Sequence, residues 1–252
     1  MTTGCESVTV GYGRRPVLKD LTVSIPTGVV GLLGANGAGK TTMLRLLATQ
    51  LRPESGLVRV AGHRLDNRRA VRAARRRLGF LPQDWGYHRS FTARDFVAYC
   101  GAMRGIPSRE LTDETAAALS SVDLQERADI PMRKLSGGQR QRAGIASAVV
   151  GGPAVVLLDE PTVGLDPEQR VGFRRLVTRL AERIGGTILL STHLVEDVAH
   201  MAAHVVVIDN GAVCFAGTPD GLAAAADGDA DGDTPLERGY LAVRAKASGV
   251  PS

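Results

Sequence analysis

Polar and apolar residues alternate in Glu6–Val10 and Leu21–Ile25, the period of half-buried antiparallel strands. Leu57–Ala61 is a third short strand, punctuated by Gly56 and Gly62. Further along, the pattern changes. Val29–Leu33 is a plain apolar run, and Leu78–Leu81 is a strand ending at Pro82-Gln83. Val155–Leu158 is continuously apolar, as in a parallel sheet covered on both faces. Thr187–Ser191 and Val205–Ile208 read as further buried strands with a helix between them, and Val213–Phe215 pairs back through the Asn210-Gly211 turn. Helical stretches fill the intervals: Thr42–Leu51, Asn67–Arg77, a capped helix from Thr92 and Asp95 through Met103, Ser108–Ser121, Leu135–Val150 and Pro167–Ile184. Strand–helix alternation implies right-handed crossovers and a parallel sheet. The expected class is therefore α/β, with an N-terminal antiparallel subdomain and a helical block, Phe91–Arg133, inserted between two parts of the core.

Composition narrows this little. At 252 residues, 44% hydrophobic and mean hydropathy −0.01, the chain suits one large soluble α/β domain with small appended parts. The net charge is +5, and only four of the 31 basic residues are Lys. The arginine-rich Asn67–Arg77 carries charge nearly all round and is expected to be a solvated surface helix. Cys5, Cys100 and Cys214 form no zinc or redox pattern and read as free thiols in a reducing compartment. No apolar stretch approaches the ~20 residues of a spanning helix, and Met1–Val10 lacks the apolar core of a signal peptide. A cytosolic location is expected, with any membrane role exercised through a partner. Asp227–Asp233 reads DGDADGD, with calcium-loop spacing at Asp227, Asp229 and Asp231. The twelfth position holds Arg238, and a helix capped by Thr234 and Glu237 interrupts the loop, so 227–252 is expected to be an acidic linker and a closing helix.

Three stretches carry chemistry. Gly34–Thr42 reads GANGAGKTT, with Gly34, Gly39, Lys40 and Thr41 in the fixed places of G-x-x-x-x-G-K-[ST], between an apolar run and a helical stretch. Glycines there let successive N–H groups and a helix N-terminus face phosphates. Lys40 supplies a point charge and Thr41 a hydroxyl for Mg²⁺. Val155–Asp159 is a strand ending in a carboxylate, followed by Glu160; the first acid suits a metal shell and the second a general base. Leu135–Arg142, LSGGQRQR, begins a helix at Ser136 and offers a second anion-binding helix start.

Together these residues resemble the nucleotide-binding subunit of an ATP-binding cassette (ABC) transporter, from Tyr12 to about Leu222. The resemblance implies a P-loop NTPase (RecA-like) core over 1–226, with a helical subdomain at about 91–150. It implies that Tyr12 stacks on adenine and that Gly34, Ala35, Asn36, Gly37, Ala38, Gly39, Lys40, Thr41 and Thr42 form the Walker A loop. It implies roles for Gln83 as the sensor of magnesium, water and the membrane partner, and for Ser136, Gly137, Gly138 and Gln139 as the family signature. It further implies Asp159 on the metal, Glu160 as catalytic base, Asp166 in the loop crossing a dimer interface, and His193 as the switch reaching the γ-phosphate. ATP and Mg²⁺ are the implied cofactors. The implied partners are an identical or homologous cassette paired head to tail and a transmembrane permease subunit in trans, at the inner face of the cell membrane. The loop Gln83–Phe91, with Trp85 and Tyr87, is expected to dock that permease. LPQDWGYHRSFTARDFVAYCGAMRGIP, TVGLDP and LERGYLAV are similar to cassettes of bacterial drug- and antibiotic-efflux exporters. The alternative is a soluble ABC ATPase working on nucleic acid or ribosomes. Ser136 follows Lys40 by 96 residues, with no heptad repeat or cysteine pair between them. No nucleic-acid partner is expected.

Overall fold

The computed structural model describes residues 2–13, 15–226 and 232–248. The alternating segments form a four-stranded antiparallel sheet: β1 (Thr3–Tyr12), β2 (Arg15–Ile25), β4 (Ser55–Val60) and the two-residue β5 (His63–Arg64), in the order β2-β1-β4-β5. The apolar runs form a second sheet of β3 (Gly28–Leu33), β6 (Leu78–Leu81), β7 (Val155–Leu158), β8 (Thr187–Thr192), β9 (His204–Asp209) and β10 (Ala212–Gly217). Its order is β10-β9-β3-β8-β7-β6, parallel except for β10. β10 returns through Asn210 and Gly211, both at positive φ (47° and 80°), as a two-residue hairpin turn of type I′ requires. β8 lies between β3 and β7, so the carboxyl ends of these three strands share one edge, where open parallel sheets bind ligands.

α1 (Lys40–Leu47) starts two residues before the expected Thr42, directly after the Gly39 cap, and ends four residues before the expected Leu51, where the chain turns out at Ala48. α2 (Arg68–Arg76) is the expected surface helix, with Ala74 its one buried residue. Between β6 and β7, α3 (Ala93–Arg104), α4 (Ser108–Ser121) and α5 (Gly137–Val149) pack around Phe96, Val97, Leu119, Met132 and Ile145. The expected capping box at Thr92 and Asp95 is present. Trp85 belongs to this packing. Its ring stacks on Phe96 at 5.3 Å, and a Cβ at Gly144 would fall 2.7 Å from it. Trp85, Tyr87 and Phe91 are thus partly buried against the helical block, and Tyr99 is the exposed aromatic beside them.

α6 (Pro167–Ile184), α7 (Val195–Met201), α8 (Pro219–Ala223) and α9 (Pro235–Ser248) complete the chain. The five-residue α8 escaped the pattern reading; it forms because Thr218 caps the N–H of Gly221 at 3.1 Å. α9 starts at the reciprocal Thr234–Glu237 cap and lays Leu236, Tyr240 and Val243 on a core shared with Val198, Val205 and Leu222. Most of the acidic stretch, residues 227–231, lies outside the described residues. No helix among the described residues is long and apolar enough to cross a membrane.

Candidate active site

β3 delivers the chain to Gly34, and the loop ends at Gly39, which stands at φ 110° as the N-cap of α1. A side chain there would be strained, and its Cβ would lie 2.7 Å from Leu18. The loop curls around the Lys40 ammonium. Lys40 Nζ donates to the Gly34 carbonyl at 2.8 Å and the Ala35 carbonyl at 3.3 Å, and pairs with Glu160 Oε1 at 3.1 Å. Both charged side chains are buried. Such a pair is tolerated because each member holds further polar partners.

The other half of this network hangs from β7 and β8. Asp159 Oδ1 accepts from Thr41 Oγ1 (3.2 Å) and from Ser191 Oγ (2.7 Å). The Glu160 N–H donates to Ser191 Oγ at 2.8 Å. Glu160 adopts φ 47°, unusual for a residue with a side chain and common at reacting centres. Its Oε2 lies 2.9 Å from His193 Nδ1. Ser191 was not singled out from the sequence, because its place beside Asp159 depends on β8 pairing with β7. Burial pushes the Asp159 carboxyl above its usual range, against the hydrogen bonds from Ser191 and Thr41. Its second oxygen, Oδ2, is buried without any partner. An orphaned carboxylate oxygen beside a threonine hydroxyl fits a hard divalent cation. Among the described residues no group of three or more His, Cys, Asp or Glu side chains is suited to a metal, so such a cation depends on its phosphates and water for the other ligands.

Lys40, Thr41, Glu160 and His193 face a cleft of about 620 Å³ that is also lined by Ala35, Asn36, Gly37, Gly39, Thr42 and Gln83, with Val17 and Val163 at its walls; Asp159 and Ser191 are buried behind it. Ala38 is buried beneath the loop, its carbonyl accepting from the Gly211 N–H at 3.0 Å. Tyr12 is exposed at the end of β1, and its hydroxyl accepts from Arg45 at 3.3 Å; it is not among the residues lining the cleft.

The signature residues do not join this cleft. Ser136 caps α5 by accepting from the Gln139 N–H at 3.2 Å, while Gln139 Oε1 accepts from the Ser136 N–H at 3.0 Å. Gly137 is exposed at the helix start, and a Cβ on Gly138 would sit 3.4 Å from Gln169 near the start of α6. Asp166 caps α6 through the Gln169 N–H at 2.8 Å and is exposed. The two sets are tied through Gln141, whose Nε2 donates to the Pro161 carbonyl at 2.9 Å, next to Glu160.

The ABC transporter family pattern matches residues 18–163, which span the loop, the signature and both acids. The chain belongs to the ABC transporter family. As a member it is an ATP-binding cassette and an ATPase. A Nod factor export ATP-binding protein of Sinorhizobium fredii is 38% identical over 218 residues, covering 86% of this chain and 62% of that protein. A daunorubicin resistance ATP-binding protein of Streptomyces coeruleorubidus is 36% identical over 221 residues, 86% of this chain and 68% of that one. The cassette therefore spans about three fifths to two thirds of the length of these relatives. Among solved structures, cbiO1 of Clostridium perfringens, part of an ABC transporter complex, superposes with a TM-score of 0.79 at 28% identity, covering 88% of this chain and 90% of that one.

Proposed function

We propose that this cassette hydrolyses Mg²⁺-ATP as half of a head-to-tail dimer and drives an exporter whose membrane part is a separate chain. The observation that supports this best is the hydrogen-bonded network Thr41–Asp159–Ser191 and Lys40–Glu160–His193 beside the loop-lined cleft, buried except at Thr41 and His193. The export direction rests on similarity to cassettes named for Nod factor export and drug resistance.

Thr41 and Asp159 would hold Mg²⁺, which lowers the charge repulsion between the β- and γ-phosphates. The residues of the chain do the rest. Loop N–H groups from Gly34 to Thr42 bind the phosphates. The Lys40 ammonium exchanges its contacts with Gly34, Ala35 and Glu160 for phosphate oxygens. Glu160, freed of Lys40, accepts the proton of the attacking water. His193 Nδ1, at 2.9 Å, orients the Glu160 carboxylate, and its exposed ring edge is available to the γ-phosphate. Gln83 lines the cleft wall, from which its amide would reach the attacking water and the cation. Ser136 and the first N–H groups of α5, from a second copy, close over the γ-phosphate, and Asp166 of that copy lies at the crossing. Tyr12 stacks on the base.

The test is ATP turnover with and without Mg²⁺ in the wild type, Lys40→Ala and Glu160→Gln. Lys40→Ala should lose nucleotide affinity and turnover together. Glu160→Gln should keep ATP binding and lose roughly 10²–10⁴-fold in rate. It should also collect as an ATP-bound dimer by light scattering, because one negative charge near the γ-phosphate is gone. Equal rates in all three proteins would overturn the assignment.

A further inference from the structure

α7 begins two residues after His193, has no side-chain cap, and is only seven residues long. Such a helix has little stability of its own. Its angle therefore depends on tertiary contacts, and so does the approach of His193 to Glu160. One polar anchor stands out on the buried face. Asp197 is 1% exposed, a burial at which an ionised carboxylate needs partners. It has two. Oδ2 accepts from Thr162 Oγ1 at 2.9 Å, in a contact where both residues are buried. Oδ1 lies 3.3 Å from Arg174 Nε on α6, an ion pair without hydrogen-bond geometry.

These partners are not arbitrary pieces of core. Thr162 is two residues past Glu160, in the segment that leads to Asp166. Arg174 is on the helix that Asp166 caps. A single carboxylate therefore joins the turn carrying His193, the segment carrying Glu160 and the helix behind Asp166.

We propose that Asp197 is a positioning residue for hydrolysis: it sets the angle of α7 so that His193 meets Glu160, and it couples that turn to the loop ending at Asp166. This rests on Glu160 and His193 acting as assigned above. Thr162 Oγ1 and Arg174 belong to the same device, and none of the three lines the nucleotide cleft. Loss of the anchor should thus lower turnover without weakening nucleotide binding.

Two variants separate the arms. Asp197→Asn keeps the shape and still accepts from Thr162, but turns an amide toward Arg174. Thr162→Val removes the hydroxyl and keeps the volume; Thr162→Ser restores it. The expected result for Asp197→Asn and Thr162→Val is kcat lower by roughly ten- to a hundredfold, the scale of a small misplacement. KM for ATP, and the number and affinity of ADP sites by titration, should be unchanged. Thr162→Ser should turn over like the wild type. In a His193→Ala background Asp197→Asn should add no further loss, since both act through one contact. The proposal is overturned if kcat and the number of ADP sites fall in proportion, if the two losses multiply in the double variant, or if neither variant slows turnover. Glu160→Gln measured alongside distinguishes the failures: a fully active Glu160→Gln removes the underlying mechanism, whereas an inactive Glu160→Gln beside a fully active Asp197→Asn removes this inference alone.

Discussion

The chain carries two helix starts suited to anions, and they are built in opposite ways. At α1 the cap is a glycine at positive φ with no side-chain bond to the helix, and the charged groups nearby are buried against one another. At α5 the cap is a serine in a reciprocal box with Gln139, and the residues at its tip face solvent. The first start has a wall of acids, a histidine and a cleft. The second has an exposed tip whose Ser136 and Gln139 satisfy each other, with Arg140 turned back onto the Leu135 carbonyl. The difference teaches that one chain holds one complete half-site and one face without its counterpart. In the head-to-tail pairing proposed above, a second copy would supply each loop with the α5 start it lacks.

The sharpest way to break this comparison is to damage the exposed start while sparing the buried one. Ser136→Arg places a long cation where a second copy's γ-phosphate is proposed to dock. Turnover should fall by at least about 10²-fold, the scale of losing preorganised donors at a charged transition state. ADP affinity, carried by the loop at α1, should stay at the wild-type value by calorimetry. Matching losses of ADP affinity and turnover would mean that the two starts serve one intramolecular site.

A second test probes the buried start. Removing one member of a buried ion pair leaves an uncompensated charge, typically worth roughly 3–5 kcal/mol. Lys40→Ala should therefore lower the nucleotide-free Tm, by about 6–12 °C for 3 kcal/mol in a domain of this size. Lys40→Ala combined with Glu160→Gln should recover most of that loss. A double variant as unstable as Lys40→Ala would show that the lost contacts are to the Gly34 and Ala35 carbonyls, not to Glu160.

The two starts were also unequally legible in the sequence. The loop at Gly34–Thr42 is read from local rules alone, since glycine spacing, the preceding strand and the following helix all lie within about twenty residues of sequence. Asp159 and Glu160 follow from a buried strand ending in acid. Ser191 and Asp197 were not visible in that way. Each meets its partner some thirty residues away, Asp159 for one and Thr162 for the other, and periodicity carries no information about which strand neighbours which. Trp85 shows the same limit. Its loop setting suggested an exposed anchor, but the absence of a Cβ at Gly144 makes room for the ring against the helical block. Aromatic character was legible, and the gap that receives it was not.

The smallest expected effect separates two duties of Asp166. Its side chain caps α6 through the Gln169 N–H at 2.8 Å, a local task that any chain of this fold would need. It is also exposed, at the position where a second copy is proposed to cross. Asn caps helices about as well as Asp, and Ala does not. Asp166→Ala should thus lose about 1 kcal/mol, or roughly 2–4 °C in Tm, while Asp166→Asn should melt within a degree or so of the wild type. If capping is the whole duty, Asp166→Asn should also turn over ATP normally. If the carboxylate charge is used across the interface, Asp166→Asn should be stable and slow, with the loss confined to assembled dimers and absent from ADP binding by the single chain. Thermal melts alongside turnover at several protein concentrations decide it. A stable, fully active Asp166→Asn would confine Asp166 to its own helix and leave the exposed face to Ser136 and the N–H groups of α5.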